Sequence, residues 1–350
     1  MSDAFAIRPR NSLAIALLTV GTLWLAFTYS AQWRLERFED FHLFYATAKL
    51  PVARWYTDRV PIFVPPFFLL LMQLLTWLPE PGAWVLWQLA SIAVVGVVVV
   101  MRRWTLLEVA ILICSAPVWA QMYFGQVVWI LVALLALAVR LGKRQRWQAA
   151  GVLVGIAISL KPFFWPMLLP ALWDREWRRM GLTAVTTAIT VTILSVVACG
   201  PDVLRRYLSG YTAAQAFASG GVLNASLAGL LIHFGLPASA ASAAVALGCG
   251  VWLRGRWTAL QEDAKWSGAV MVSLSASPIA WIQYGLCLVP VLTHERTKLV
   301  VGIACIPPLL VLNWPQLRGV YVIGLAACFV ELLATAGSRP RASATSIVTG

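Results

Sequence analysis

Apolar runs close to bilayer-crossing length follow one another almost without pause from Leu13 to Ala336, and few folds remain open to such a chain. A helix needs about 20 consecutive apolar residues to span the hydrocarbon of a membrane. Runs approaching that length occupy residues 13–29, 61–78, 83–101, 106–119, 127–139, 149–173, 182–198, 222–234, 238–253, 267–292, 299–312 and 319–336. The composition agrees: 60% of the 350 residues are hydrophobic and 12% charged, against about 45–50% and 25% in soluble domains. The sequence therefore predicts an all-α, polytopic integral membrane protein of about ten transmembrane segments, some short or broken, as a single domain over residues 1–336. Residues 337–350, rich in Ser, Arg and Pro, read as a disordered tail.

The net charge of +13 would suggest a nucleic-acid partner in a soluble chain. Here the basic residues sit in short clusters between apolar runs, the pattern that sets orientation and touches anionic lipid, so no nucleic acid is expected. Arg8 and Arg10 precede a first run too long for a signal peptide, which puts the polar interval 32–60 on the periplasmic or exterior face of, most simply, a bacterial inner membrane. Cys114, Cys199, Cys249, Cys287, Cys305 and Cys328 are scattered singly, and His42, His233 and His294 lie far apart, so no metal or other cofactor is predicted.

Counting crossings from that outer loop leaves the cluster Arg140, Lys143, Arg144 and Arg146 on the wrong side unless one run fails to cross. Residues 106–119, short, carrying Glu108 and interrupted by Pro117, are the candidate for a re-entrant segment. Residues 149–173 are interrupted at Lys161-Pro162 and flanked by basic residues at both ends, so two short helices would keep both flanks inside. Irregular backbone at membrane depth is tolerated only where it lines protein or a wet cavity, and both breaks point to a site.

The outer loop holds Glu39-Asp40-Phe41-His42-Leu43-Phe44-Tyr45-Ala46, then Tyr56, then Val64-Pro65-Pro66-Phe67. Further on come Gly125-Gln126, Ala150-Gly151 leading to Lys161-Pro162, Asn224-Ala225-Ser226-Leu227 and Ser277-Pro278-Ile279-Ala280-Trp281. In that order these segments resemble the GT-C superfamily of membrane glycosyltransferases, and within it family 87, the polyprenyl-phosphomannose-dependent mannosyltransferases. The resemblance runs from about Leu13 to Pro290 and implies a GT-C-like helical bundle with its site under the first outer loop. It departs from the family pattern at Val64, where an aromatic precedes Pro-Pro, at Val128, where the family has Asn, and at Ile282, Gln283 and Tyr284, where members often carry a His shortly after the Trp.

The resemblance puts Asp40 on the family's catalytic carboxylate. The chemistry gives a separate reason: a sugar on a lipid phosphate already has its leaving group, and what is missing is a base for the acceptor hydroxyl. Glu39 and Asp58 are the alternative or helper acids, and an ordinary interfacial acid paired with Arg34 or Arg37 is the structural alternative. Lys161, charged within an apolar run, suits the donor phosphate or balances a carboxylate such as Glu108. Arg205 and Arg206 are the second candidates for the phosphate. His42, Tyr45, Gln126, Asn224, Ser226, Trp281, Gln283 and Tyr284 offer sugar or acceptor contacts, though Gln126, Asn224 and Ser226 would serve equally to satisfy broken helix backbone.

The expected reaction is inverting transfer of a hexose, mannose foremost, from a polyprenyl monophosphate carrier to a lipid or glycan acceptor at the outer face. The expected partners are that donor, that acceptor and membrane lipids. The competing expectations are a carrier or flippase for a lipid-linked sugar or small solute, and a family member whose activity has decayed.

Overall fold

The computed structural model describes residues 9–35, 39–57, 64–218, 224, 226–293 and 298. The runs at 299–312 and 319–336, the tail and Asp58 lie outside the described residues. Thirteen α-helices are described: α1 Pro9–Leu35, α2 Glu39–Lys49, α3 Pro66–Gln73, α4 Glu80–Met101, α5 Leu106–Ile113, α6 Ala116–Phe124, α7 Val128–Lys143, α8 Trp147–Leu160, α9 Arg175–Cys199, α10 Pro201–Ala218, α11 Leu227–His233, α12 Ala238–Arg256 and α13 Glu262–Ala276. Two longer 3₁₀ segments, Pro162–Leu172 and Ile282–Leu288, follow α8 and α13.

Among the described residues α4 and α9 are each long and apolar enough to cross a bilayer, and α5 with α6, bent by 51° at their junction, counts as a third if taken as one span. The expected total of about ten spans is not confirmed; among the described residues, runs 61–78, 149–173 and 267–292 form short or doubled-back segments rather than single long helices. The outward face of α9 displays Leu182, Val185, Ile189, Ile193 and Val197 uncovered, at the three-to-four-residue spacing of a helix stripe that meets lipid.

Aromatic and cavity contacts fix the directions of the helices. Trp87 near the start of α4 meets Trp129 near the start of α7 at 5.0 Å between ring centroids. Val98 and Arg102 at the end of α4 share a cavity with Val139 and Arg140 at the end of α7. The two helices are thus parallel, giving the bundle a site end, where they start, and a basic end, where they finish. The chain leaves the basic end of α4 at Arg103 and arrives at Gly125 beside Trp84, in the first turns of α4. The α5–α6 pair therefore runs from the basic end back to the site end, with α5 packed on α1. The sequence reading made residues 106–119 re-entrant. The pair is broken, with Ser115 and Pro117 at the bend, but it does not turn back.

The run that fails to cross is instead 61–78. Its helix α3 has 8 residues, and the chain returns to where it began: the Tyr45 hydroxyl of α2 donates to the carbonyl of Leu78 at 2.7 Å, and His42 lies 2.5 Å from Glu80 in the first turn of α4. The missing crossing falls at a different segment from the one the sequence suggests, since Pro65 and Pro66 open a helix too short to span about 30 Å of hydrocarbon.

Residues 149–173 do fold back. α8 climbs from Trp147 to Leu160, the backbone turns extended at Lys161, and the 3₁₀ segment descends until Trp173 and Trp177 meet Trp257 at 5.9 and 5.2 Å. Trp177 also lies 6.3 Å from Trp147, the starting residue of α8. α8 is seated tightly on α9, because a Cβ at Gly151 would strike the carbonyl of Met180 and one at Gly155 that of Ala184. Glycines four apart let two helix backbones approach this closely. Residues 267–292, which read as one span, use the same device: α13 rises to Ala276, the chain breaks across Ser277–Trp281, and the 3₁₀ segment carries it down to Pro290, whose carbonyl accepts from Arg102 at the basic end.

The hydrogen bonds from Trp257 Nε1, Trp177 N and Glu176 N to Asp174 at the basic end outweigh the opposing effect of burial and, with Lys265, hold that carboxyl below its ordinary range.

Cysteine labelling with an impermeant maleimide tests this path. Thr57→Cys and Pro79→Cys are expected to react from one side of the membrane and Gln145→Cys from the other; labelling of Pro79→Cys together with Gln145→Cys would restore 61–78 as a crossing.

Candidate active site

Four side chains meet at the site end, each delivered by a different irregularity of the bundle. Asp40 stands in the first turn of α2 and is partly buried. Its carboxylate oxygen Oδ2 accepts from the side-chain amide of Gln126. The other end of that amide, Oε1, faces the Tyr284 hydroxyl at 3.5 Å. Lys161, 5% exposed, lies over the Tyr284 ring with its ammonium 5.6 Å from the centroid, within cation–π range. Asp40 is also the charged group that acts electrostatically on Lys161. Carboxylate, amide, phenol and ammonium thus form one continuous polar cluster, with the Phe163 ring 4.7 Å from that of Tyr284 and Phe164 stacked behind it.

The turn that presents Gln126 depends on Gly125. With φ at +67° it closes α6 in the left-handed region, and a Cβ there would collide with Trp84 and Phe41, so both backbone and space call for glycine. Trp87 Nε1 donates to the Gly125 carbonyl at 2.9 Å, and Gln121 Nε2 donates to the Gln126 carbonyl at 2.8 Å and to Ser91 at 3.2 Å. Gln88 holds the preceding turn through the Met122 carbonyl at 3.0 Å. These supports were not picked out from the sequence. The available signal was polar residues inside apolar runs, at Gln88, Ser91 and Gln121.

Asn224 and Ser226 support the other break. Asn224 donates to the Pro278 carbonyl at 2.8 Å and accepts from Ala280 N at 3.1 Å, and its backbone bridges to Trp281. The Ser226 hydroxyl caps α11 through Gly229 N at 2.8 Å. Ser226 also donates to Asn224 Oδ1 at 2.9 Å, and Asn224 closes the break whose last residue, Trp281, precedes the 3₁₀ segment carrying Tyr284. Gln283 is buried, with its amide oxygen lacking a partner among the described residues.

Other residues singled out from the sequence lie apart. His42 is two positions from Asp40 on a helix, so it turns outward to Glu80, and Tyr45 packs into the core against Phe41. Arg205 pairs with Asp202 at 3.4 Å on the exposed face of α10. Arg206 donates to the Ala53 carbonyl at 2.8 Å and pins α10 over the segment after α2, where Tyr207 meets Tyr56 at 5.5 Å. Glu39 belongs to α2, in the turn that carries Asp40. Glu108 is the carboxylate that was considered for Lys161, but it pairs with Lys298 at 3.4 Å and caps its own helix.

The sequence profile of glycosyltransferase family 87 matches residues 63–278, more than half of the chain. The chain belongs to glycosyltransferase family 87. It is also similar to the alpha-(1->3)-arabinofuranosyltransferase of Mycobacterium tuberculosis, in both strain CDC 1551 / Oshkosh and strain H37Rv, at 26% identity over 193 residues, covering 51% of this chain and 41% of each relative. The chain thus aligns with about two fifths of the length of these relatives. No solved structure matches it. The matched region of this family 87 protein includes Gln126, Lys161 and Asn224 and ends at Pro278, just inside the Ser277–Trp281 break, whereas Asp40 and Tyr284 lie outside it and join the cluster through the fold.

Gly125→Ala should unseat Gln126 at a cost on the order of 3 kcal/mol, from left-handed backbone strain and overpacking together. The expected readout is a lower melting temperature in detergent and loss of any function that needs Asp40, while Gly235→Ala, whose added Cβ would have open space around it, should lower melting less.

Proposed function

We propose that this family 87 protein is an inverting glycosyltransferase that takes its sugar from a polyprenyl monophosphate carrier at the extracytoplasmic face and passes it to a lipid or glycan acceptor. The observation that carries this reading is the Asp40–Gln126–Tyr284–Lys161 cluster, which puts a partly buried carboxylate and a buried ammonium within electrostatic reach of each other where two broken segments meet.

In this reading the acceptor hydroxyl attacks the anomeric carbon as Asp40 takes its proton, and the bond from that carbon to the phosphate oxygen breaks on the opposite face. The electron pair leaves with polyprenyl phosphate, whose growing negative charge Lys161 stabilises as a point charge. A single carboxylate is enough for inversion. Gln126 holds Asp40 by one oxygen, and the Tyr284 ring keeps the lysine near the carboxylate. Donor phosphate and Asp40 draw on the same ammonium, so the donor's arrival relieves Asp40 of its partner when a base is needed.

Mannose is the first choice of sugar, from the family resemblance. The arabinofuranosyltransferase relatives favour a second reading, a pentofuranose on the same type of carrier. Purified protein given radiolabelled polyprenyl-phosphate mannose or polyprenyl-phosphate arabinose with membrane lipids should label a product from one of them. Asp40→Asn should lower that transfer by about 10²–10⁴ with donor binding intact, Glu39→Gln and Asp58→Asn should transfer near the wild-type rate, and Lys161→Met should weaken donor binding without loss of insertion. Wild-type transfer by Asp40→Asn with loss in either neighbour would move the base to that neighbour. Retention by all three would remove the mechanism and put the carrier reading first.

A further inference from the structure

The basic end holds a hollow that the proposed reaction does not use. It is a cavity of about 450 Å³, within the range of about 300–1,000 Å³ typical of small-ligand sites. It lies between the last turns of α4 and α7. From Trp87, which meets the Gly125 turn, to Arg102 the helix advances about 22 Å, so the cavity is at the far side of the bundle from Asp40.

Four cations line it: Arg102, Arg140, Lys143 and Arg144. Asp263 of α13 answers two of them, lying 2.6 Å from Lys143 and 3.3 Å from Arg102, while Arg102 is held further by the Pro290 carbonyl. Arg140 and Arg144 have no carboxylate partner among the described residues. Cations at helix C-termini complement the dipole and mark the inner side of a membrane protein. Those roles account for the charges, but they do not require a hollow with apolar walls.

The walls decide the kind of ligand. Val98, Met101 and Val139 line the cavity beside the cations. Met101, which lines the cavity, is itself 44% exposed, and on the flanks of the same turns Val97 of α4 and Leu137 of α7 are 58% and 48% exposed, as side chains meeting acyl chains would be. An anion entering here therefore has cations at one end and a lipid-facing apolar surface at the other. Interhelical basic pockets at the inner face bind phosphate headgroups in this way.

We propose that the cavity between α4 and α7 is a binding site for the phosphate headgroup of an anionic bilayer phospholipid, with its acyl chains leaving past Met101 along Val97 and Leu137. The site is separate from the proposed donor site and does not depend on the sugar or on the transfer reaction.

The test uses the full chain in detergent, loaded with dioleoyl phosphatidylglycerol or dioleoyl phosphatidylcholine and examined by native mass spectrometry for retained lipid. The wild type should retain phosphatidylglycerol in preference to phosphatidylcholine, and millimolar inorganic phosphate should not displace it. Arg140→Gln with Arg144→Gln should retain it more weakly by on the order of tenfold or more. Those substitutions also remove orientation signals, so Ala136→Trp, which fills the cavity and leaves every cation in place, is the second variant and should lose phosphatidylglycerol equally. Undiminished retention by Ala136→Trp would overturn the proposal, as would equal retention of the two lipids. Displacement by inorganic phosphate alone would overturn it in favour of a soluble anion.

Discussion

Backbone that leaves the helix inside an apolar bundle exposes N–H and C=O groups that lipid cannot satisfy, and in this chain the side chains that answer them hold the turns that carry the site. Asn224 closes the break at Ser277–Trp281 by taking the Ala280 N–H and giving its own amide hydrogen to Pro278. Trp87 and Gln121 answer the carbonyls of Gly125 and Gln126. Lys161 begins a 3₁₀ stretch in which Pro162, Pro166 and Pro170 have no N–H to satisfy. Each repair leaves one polar residue facing inward, and the inward-facing residues are Gln126, Tyr284 and Lys161. The Gln126 amide ties them to Asp40, since it donates to the carboxylate and faces the phenol with its oxygen.

Much of this organisation was legible in the residues because membrane burial makes polar and helix-breaking residues conspicuous. Lys161-Pro162 announced a fold-back, and the basic residues on both flanks indicated that the chain returns to its starting side. The misplaced turn has an equally physical cause. Runs 61–78 and 106–119 are both apolar and both contain proline, so hydropathy alone does not separate them. What separates them is where the chain ends up, fixed by Tyr45 on Leu78 for the first and by Gly125 against Trp84 for the second. Residues 267–292 misled for the opposite reason, since an up-and-down pair joined by Ser277-Pro278 has the composition of one long span. The outer interval was also less open than it read: α2 buries Phe41, Phe44 and Tyr45, and once it is helical His42 points away from Asp40.

Gln283 and Tyr284, at the place where the resemblance leads one to expect a His, bear on how protons would be handled in the proposed reaction. A side-chain amide donates and accepts hydrogen bonds but does not take up a proton near neutrality. In the proposed reaction Asp40 is then the one of the four side chains in the cluster suited to receive a proton. The phenol is placed instead to seat the ammonium, its ring carrying Lys161 and its hydroxyl meeting Gln126.

The central claim is that Lys161 marks the donor phosphate and Asp40 the reacting carbon beyond it. A cryo-electron microscopy structure of the full chain with a bound polyprenyl phosphosugar, or with polyprenyl monophosphate and the free sugar, tests both positions at once. The account predicts the phosphate within ion-pair distance of the Lys161 ammonium and the anomeric carbon on the side facing Asp40. A phosphate held by Arg205 and Arg206 on α10, with the Asp40–Gln126–Tyr284–Lys161 cluster empty, would contradict it.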